Sequence, residues 1–274
     1  MALGDDGRRS VAQAQDSAHG FGHDYTVGSP HLRHATLRNN IENRITNTIK
    51  EILQQRGECA VLEIGAGHGS FTDTVLAAGG TASSTEMSKA SAEYLESKFR
   101  GNSRVTVIYD PDGQAPFDQP VQYDVILLIS VIHHIPDYID VVSRLCDTVL
   151  RPGGAVVTYQ DPLWYPRQKR WKRALNWGFY FLWRVTQGEL RRGIATRWRR
   201  LRGVYSHSNP SDLVEYHVVR QGVDELALQD IFSARFASVE LSTYFSTQSP
   251  QLQSIGQRCL PPNNFGFVAR GRLG

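Results

Sequence analysis

The sequence predicts an α/β fold built on a seven-stranded, mostly parallel sheet with helices on both faces and a helical cap inserted after strand five. Three observations lead to it. Short apolar runs alternate with helically spaced ones from Cys59 to Tyr159, the pattern of a parallel sheet joined by crossover helices. A glycine-rich turn, Gly65-Ala66-Gly67-His68-Gly69, joins the first such run to the helix after it. The alternation then stops over about 162–217 and resumes as one helix and two strands.

Each element follows from local pattern. Residues 1–29 are rich in Gly, Asp, Ser, Ala and Gln and predict a flexible tail. Residues 30–274 form the domain. Leu37, Ile41, Ile45, Ile49, Ile52 and Leu53 recur at helical spacing, so a helix over Pro30 to about Arg56 precedes the sheet. Strands are predicted at Cys59–Ile64, Thr81–Glu86, Val105–Tyr109, Tyr123–Ile129 and Ala155–Tyr159, with helices at Ser70–Ala78, Ser88–Phe99 and Tyr138–Leu150. The Arg151-Pro152-Gly153-Gly154 turn leads into the fifth strand. After the insertion come a helix over Val223–Phe232 and strands at Ser238–Phe245 and Phe265–Arg270.

Composition narrows the class. With 274 residues, 41% of them hydrophobic and 21% charged, the chain reads as a soluble globular protein. Its three cysteines (Cys59, Cys146 and Cys259) stand at wide spacings that fit neither a zinc site nor a disulfide framework. The N-terminus is polar rather than signal-like, and no apolar run approaches the ~20 residues of a membrane span. A cytoplasmic location is therefore expected. Charge is unevenly spread: twelve Lys/Arg and two acids lie between Asp161 and Arg202, a net +10, against 18 basic and 25 acidic residues elsewhere, a net −7. All five tryptophans (Trp164, Trp171, Trp177, Trp183, Trp198) fall in the same stretch.

The glycine-rich turn is the first candidate site. Glycines let a backbone approach a ligand, and the following helix N-terminus offers free N–H donors. A dinucleotide fingerprint needs a third glycine where Ser70 stands. Glu63, just before the turn, suits a cationic ligand and is poorly placed against a pyrophosphate.

Val61-Leu62-Glu63-Ile64-Gly65-Ala66-Gly67-His68-Gly69 resembles the first motif of the class I S-adenosylmethionine-dependent methyltransferases, which share a Rossmann-like fold. The resemblance covers roughly 58–160 and the terminal helix and strand pair. It implies S-adenosyl-L-methionine as cofactor, held by Glu63, Gly65, Ala66, Gly67 and Gly69. It also implies Glu86 on the ribose hydroxyls with Met87 beside it, Asp110 at the adenine and Ser130 at the methionine part. Asp112 follows closely enough to leave the adenine contact open between two acids.

A hydroxyl acceptor needs a base, and histidine serves at neutral pH. His133 and His134 follow the fourth strand, and Asp161 follows the fifth. This arrangement is similar to that of natural-product sugar O-methyltransferases, which implies His133 or His134 as base and Asp161 as helper. Asp161 capping the next turn is the plainer alternative. The Glu-x-x-Glu-His set of metal-dependent relatives is replaced by Ser130, His133 and His134, so Mg²⁺ is allowed but not required. His207, Glu215 and His217 are the residues left to complete such a site.

The basic, Trp-rich cap allows three acceptors: a small sugar-containing molecule stacked on aromatic rings, a lipid-linked acceptor at an anionic membrane surface, or RNA. RNA is disfavoured, because the positive charge is confined to the cap and no RNA-binding module is present. The oligomeric state is left open.

Overall fold

The computed structural model describes residues 29–118, 120–169, 171, 178 and 222–274. The chain enters through α1 (Pro30–Arg33) and α2 (Ala35–Arg56). It then alternates β1 (Ala60–Ile64), α3 (Ser70–Ala77), β2 (Thr81–Glu86), α4 (Lys89–Lys98) and β3 (Val105–Tyr109). A short α5 (Ala115–Asp118) leads to β4 (Tyr123–Ile129), α6 (Tyr138–Arg144) and β5 (Leu150–Pro162). The chain finishes with α7 (Glu225–Ser233), β6 (Phe236–Tyr244), α8 (Pro250–Cys259) and β7 (Asn264–Arg272).

The seven strands lie in the order β3-β2-β1-β4-β5-β7-β6. All pairs from β3 to β5 are parallel, and β7 runs antiparallel to both β5 and β6. The expected sheet is therefore present. Strand order reverses between β1 and β4, so their carboxyl ends open the crevice in which such sheets bind ligands.

Alternation along the strands assigns each side chain to one of two apolar layers. Val61, Val125, Leu127, Ile129, Val157 and Tyr159 pack with Ile41, Ile45, Ile49 and Phe71 from α2 and α3. Leu62, Ile126, Leu128, Val156, Phe265 and Phe267 pack on the opposite face with Val142, Leu228 and Phe232 from α6 and α7. β4 lies at the centre and is buried along its whole length. Its one acid, Asp124, is fully buried and accepts from Arg56, Arg151 and the Ala60 amide. It thereby ties α2, β1 and β5 to the central strand.

Several boundaries differ from expectation. His34 interrupts the first helix with an extended backbone. The α-helix expected to reach Leu150 stops at Arg144, and a wider turn, Leu145–Val149, leads from it into β5. β5 extends to Pro162 and so takes in Asp161. The helix α8 has no counterpart in the periodicity. Residues 1–28 of the expected tail and most of the cap lie outside the described residues. No described helix is long and apolar enough to cross a membrane.

Candidate active site

At the carboxyl end of β1 the chain turns sharply. Gly65, Gly67 and Gly69 all adopt positive φ, at 67°, 56° and 73°, a conformation that glycine takes without steric penalty. The turn is tied down at Ala66, whose amide donates to the Thr85 carbonyl, and at Gly69, whose amide donates to Ala66. A Cβ on Gly65 would lie 2.8 Å from Val131 Cγ2. The loop after β1 and the loop after β4 therefore approach as closely as their side chains permit.

Three buried carboxyl groups mark successive strand ends: Glu63, Glu86 and Asp110. Glu86 accepts from the Gly67 amide at 2.8 Å and from the Ser88 amide at 2.9 Å. Those bonds leave lone pairs for further donors, because a carboxylate offers about four acceptor sites. Burial raises the Glu86 pKa, opposed by these backbone donors. Met87 beside it is half-buried. Asp110 follows β3 and accepts from the Gln114 and Ala115 amides, capping α5, while Asp112 is exposed. Asp110 is thus the one of the two acids built into the edge.

Glu63 accepts from the Thr72 hydroxyl at 2.5 Å and the Ser84 hydroxyl at 3.3 Å. Its carboxyl is fixed against α3 and β2 as well as lining the crevice. Burial pushes its pKa up to about 7, against the two hydroxyl bonds. A raised carboxyl pKa means the folded chain holds the proton more tightly than the unfolded one. The resulting stability is full below about pH 4 and is lost as pH rises to about 7. Urea melts of the wild type are expected to lose on the order of 3 kcal/mol across that window, and Glu63→Gln is expected to flatten this limb.

The crevice is lined by Glu63, Gly65, Gly67, Ser130 and His134 from the two loops and by His31 from α1. Ser130 adopts φ 62°, and its amide donates to the Tyr159 carbonyl at 2.7 Å. The His134 ring packs on that of His133, with centroids 4.0 Å apart. Behind it, His133 Nδ1 lies 2.8 Å from Asp161 Oδ1, which also accepts the His133 amide at 3.1 Å. Asp161 is fully buried. Burial raises its pKa, and the contacts from His133 oppose the rise. An ionised carboxylate can only accept, so with Asp161 ionised this contact selects the tautomer with hydrogen on Nδ1 and the lone pair on Nε2. Sequence spacing alone left Asp161 open between capping a turn and pairing with a histidine; the geometry pairs it with His133.

His31 was not singled out by sequence, since it lies in a short segment without periodicity. It is buried and stacks on Phe71 with centroids 6.0 Å apart. Burial, reinforced by the nearby His133, lowers its pKa to about 3. His31 is therefore a neutral imidazole at physiological pH. His34, between α1 and α2, is 2.7 Å from the Thr247 carbonyl through Nε2 and holds this segment against the loop after β6.

Among the described residues, no group of three or more His, Cys, Asp or Glu side chains is arranged to hold a metal ion. His207, Glu215 and His217 lie outside those residues.

Comparison with known proteins agrees with this architecture. Residues 62–156 match the family model of a methyltransferase domain. A ubiquinone biosynthesis O-methyltransferase from Bordetella bronchiseptica is 30% identical over 101 residues, which are 35% of this chain and 40% of that protein. The match thus spans well under half the length of that curated relative. Among solved structures, the N-methyltransferase NodS from Bradyrhizobium japonicum WM9, in complex with S-adenosyl-L-homocysteine, superposes with a TM-score of 0.55. It is 12% identical, covering 96% of this chain and 98% of that one. The plantazolicin methyltransferase BpumL, solved with a monoazolic desmethylPZN analogue and SAH, gives a TM-score of 0.52 at 13% identity, covering 97% of this chain and 95% of that one. Residues 62–156 are thus similar to methyltransferase domains, and the chain shares the fold of these solved methyltransferases.

Proposed function

We propose that the protein transfers the methyl group of S-adenosyl-L-methionine to a hydroxyl oxygen of a small, sugar-containing acceptor. The observation that carries this reading is the part-buried His133–Asp161 pair one residue from the wall of the glycine-loop crevice. A base held by a third group is the usual arrangement for activating a hydroxyl.

The crevice suits the cofactor. Three left-handed glycines give close backbone approach, and the carboxylates at the ends of β1 and β2 provide acceptors for an ammonium group and for ribose hydroxyls. In this reading Gly65, Ala66, Gly67 and Gly69 cradle the cofactor, with Glu63 setting the charge. Glu86 takes the ribose with Met87 alongside, Asp110 borders the adenine and Ser130 borders the methionine part. When bound, the cofactor supplies an electrophilic methyl on a sulfonium. His133 accepts the acceptor's hydroxyl proton at Nε2 as the oxygen takes the methyl and the carbon–sulfur bond breaks. Asp161 holds the tautomer whose Nε2 carries no hydrogen and stabilises the imidazolium that forms. His134, on the crevice wall, orients the acceptor beside it. No step requires a metal, and Mg²⁺ is an optional addition.

The assignment to oxygen draws on the ubiquinone relatives, whose names specify O-methylation. Those names also favour a lipid-linked acceptor as the second reading, with the basic, Trp-rich segment at about 162–217 meeting an anionic surface. RNA is the third. The described part of that segment includes Trp171, which is 53% exposed. An exposed ring suits stacking on a sugar face.

A thermal-shift measurement with S-adenosylmethionine, S-adenosylhomocysteine and NAD tests the cofactor. A methyl-transfer screen over sugar, lipid and aromatic hydroxyl acceptors, and over amines, tests the rest. Stabilisation by the two sulfur compounds with transfer to a glycosidic hydroxyl is expected. Transfer confined to amines would overturn the oxygen assignment.

A further inference from the structure

In β5, Val156 belongs to the apolar layer on the α6–α7 face, while Val157 and Tyr159 belong to the layer on the α2–α3 face. Plain two-residue alternation would put Asp161 on the same face as Tyr159. Asp161 nevertheless pairs with His133, whose neighbour Ile132 lies in the α6–α7 layer. The change of face occurs at Gln160. Tyr159 is opposite Gly266 in β7, and Asp161 is opposite the next residue, Phe265, so Gln160 is an extra residue in the ladder. Phe265 itself faces the α6–α7 layer. Such a bulge re-aims the side chains that follow it.

Gln160 adopts φ 69°, one of two non-glycine residues among those described with positive φ. A residue in that region costs ~1–3 kcal/mol and persists where its surroundings over-determine it. The surroundings here are specific. The Gln160 amide donates to the Tyr244 hydroxyl at 2.7 Å, and that hydroxyl donates back to Gln160 Oε1 at 3.3 Å. Gln160 Nε2 donates to Ser246 Oγ at 2.7 Å. The Tyr244 ring stacks on Tyr159, with centroids 5.7 Å apart. Every polar group of the bulged residue that faces β6 is therefore held by the end of that strand.

We propose that Gln160 and Tyr244 are positioning residues that form a clamped bulge, turning Asp161 through one face of the sheet so that it meets His133. The inference rests on the reading of His133 and Asp161 as the base pair of the site. It extends the machinery to two residues outside the lining of the crevice.

The test is the tautomer of His133, read from its ring nitrogen shifts by ¹⁵N NMR and assigned by loss of the signals in His133→Gln. In the wild type the Nδ1–H form is expected to dominate. Tyr244→Phe keeps the stacked ring and loses the hydroxyl, and it is expected to give a mixture of both tautomers. Gln160→Val, whose branched side chain resists positive φ, is expected to do the same. Gln160→Asn tolerates that backbone and keeps an amide, so it should retain the Nδ1–H form. Affinity for S-adenosylhomocysteine by calorimetry should stay within about twofold in all three. Turnover on the acceptor found by the screen should fall by up to about 100-fold in Tyr244→Phe, as for other small displacements of a catalytic group. A wild type without the Nδ1–H form overturns the base pair itself. A wild type with it, joined by unchanged tautomers in both Tyr244→Phe and Gln160→Val, overturns the clamp and leaves the pair standing.

Discussion

Replacing His133 with Gln is expected to lower turnover by on the order of 10²–10⁴-fold while S-adenosylhomocysteine still binds within about twofold of the wild type. Gln preserves the side chain's hydrogen-bonding character and much of its volume but has no nitrogen that accepts a proton near neutral pH. Asp161→Asn should follow it. An amide at that fully buried position leaves no uncompensated charge, so the fold should persist. The amide can donate to Nδ1, however, and then favours the tautomer with hydrogen on Nε2, which cannot act as the base. Single-turnover methyl transfer, with calorimetry of S-adenosylhomocysteine alongside, separates chemistry from binding. His134→Gln completes the set. His134 lines the crevice, whereas His133 holds the carboxylate. Full turnover in His133→Gln with loss in His134→Gln would transfer the base role to His134.

The parts of the site written in local sequence were legible. Alternation located all seven strands, and the glycine spacing anticipated a turn whose three glycines adopt positive φ. Even polar β2, Thr81–Glu86, was readable because a parallel strand has to follow α3. What depended on distant partners was not. The bulge at Gln160 exists only relative to β7, about a hundred residues on, and no local pattern distinguishes it from an ordinary strand residue. Helix α8 escaped because its docking is not apolar. Its buried positions are Gln253, bonded to the Thr247 amide and the Phe245 carbonyl, and Gly256, where a Cβ would lie 2.2 Å from the Phe245 ring. His31 escaped for a related reason: a four-residue helix has no period to read, and its place beside the crevice is set by a hydrogen bond from His34 to a loop 213 residues away. Asp110 and Asp112 were equivalent by spacing and are separated by burial.

Gly65→Ala is expected to weaken S-adenosylhomocysteine binding by at least ~100-fold and to destabilise the fold, because two independent penalties coincide. A non-glycine residue at φ 67° costs ~1–2 kcal/mol. A Cβ lying 2.8 Å from Val131 Cγ2 adds an overpacking penalty of ~1–3 kcal/mol unless the two loops separate. Separation is where the functional damage arises, since Val131 opens the turn that carries His133 and His134. Pushing that turn outward moves both imidazoles away from the glycine loop while Asp161, fixed in β5, stays in place. The two penalties can be resolved by a double-mutant cycle with Val131→Ala. Trimming Val131 removes the clash but not the backbone cost, so Gly65→Ala/Val131→Ala should be more stable than the sum of the single changes predicts. It should also recover part of the lost binding and remain below the wild type by about the backbone penalty. Strict additivity in urea melts would show that Val131 does not set the approach of the loops, leaving the conformation of Gly65 alone responsible for the loss.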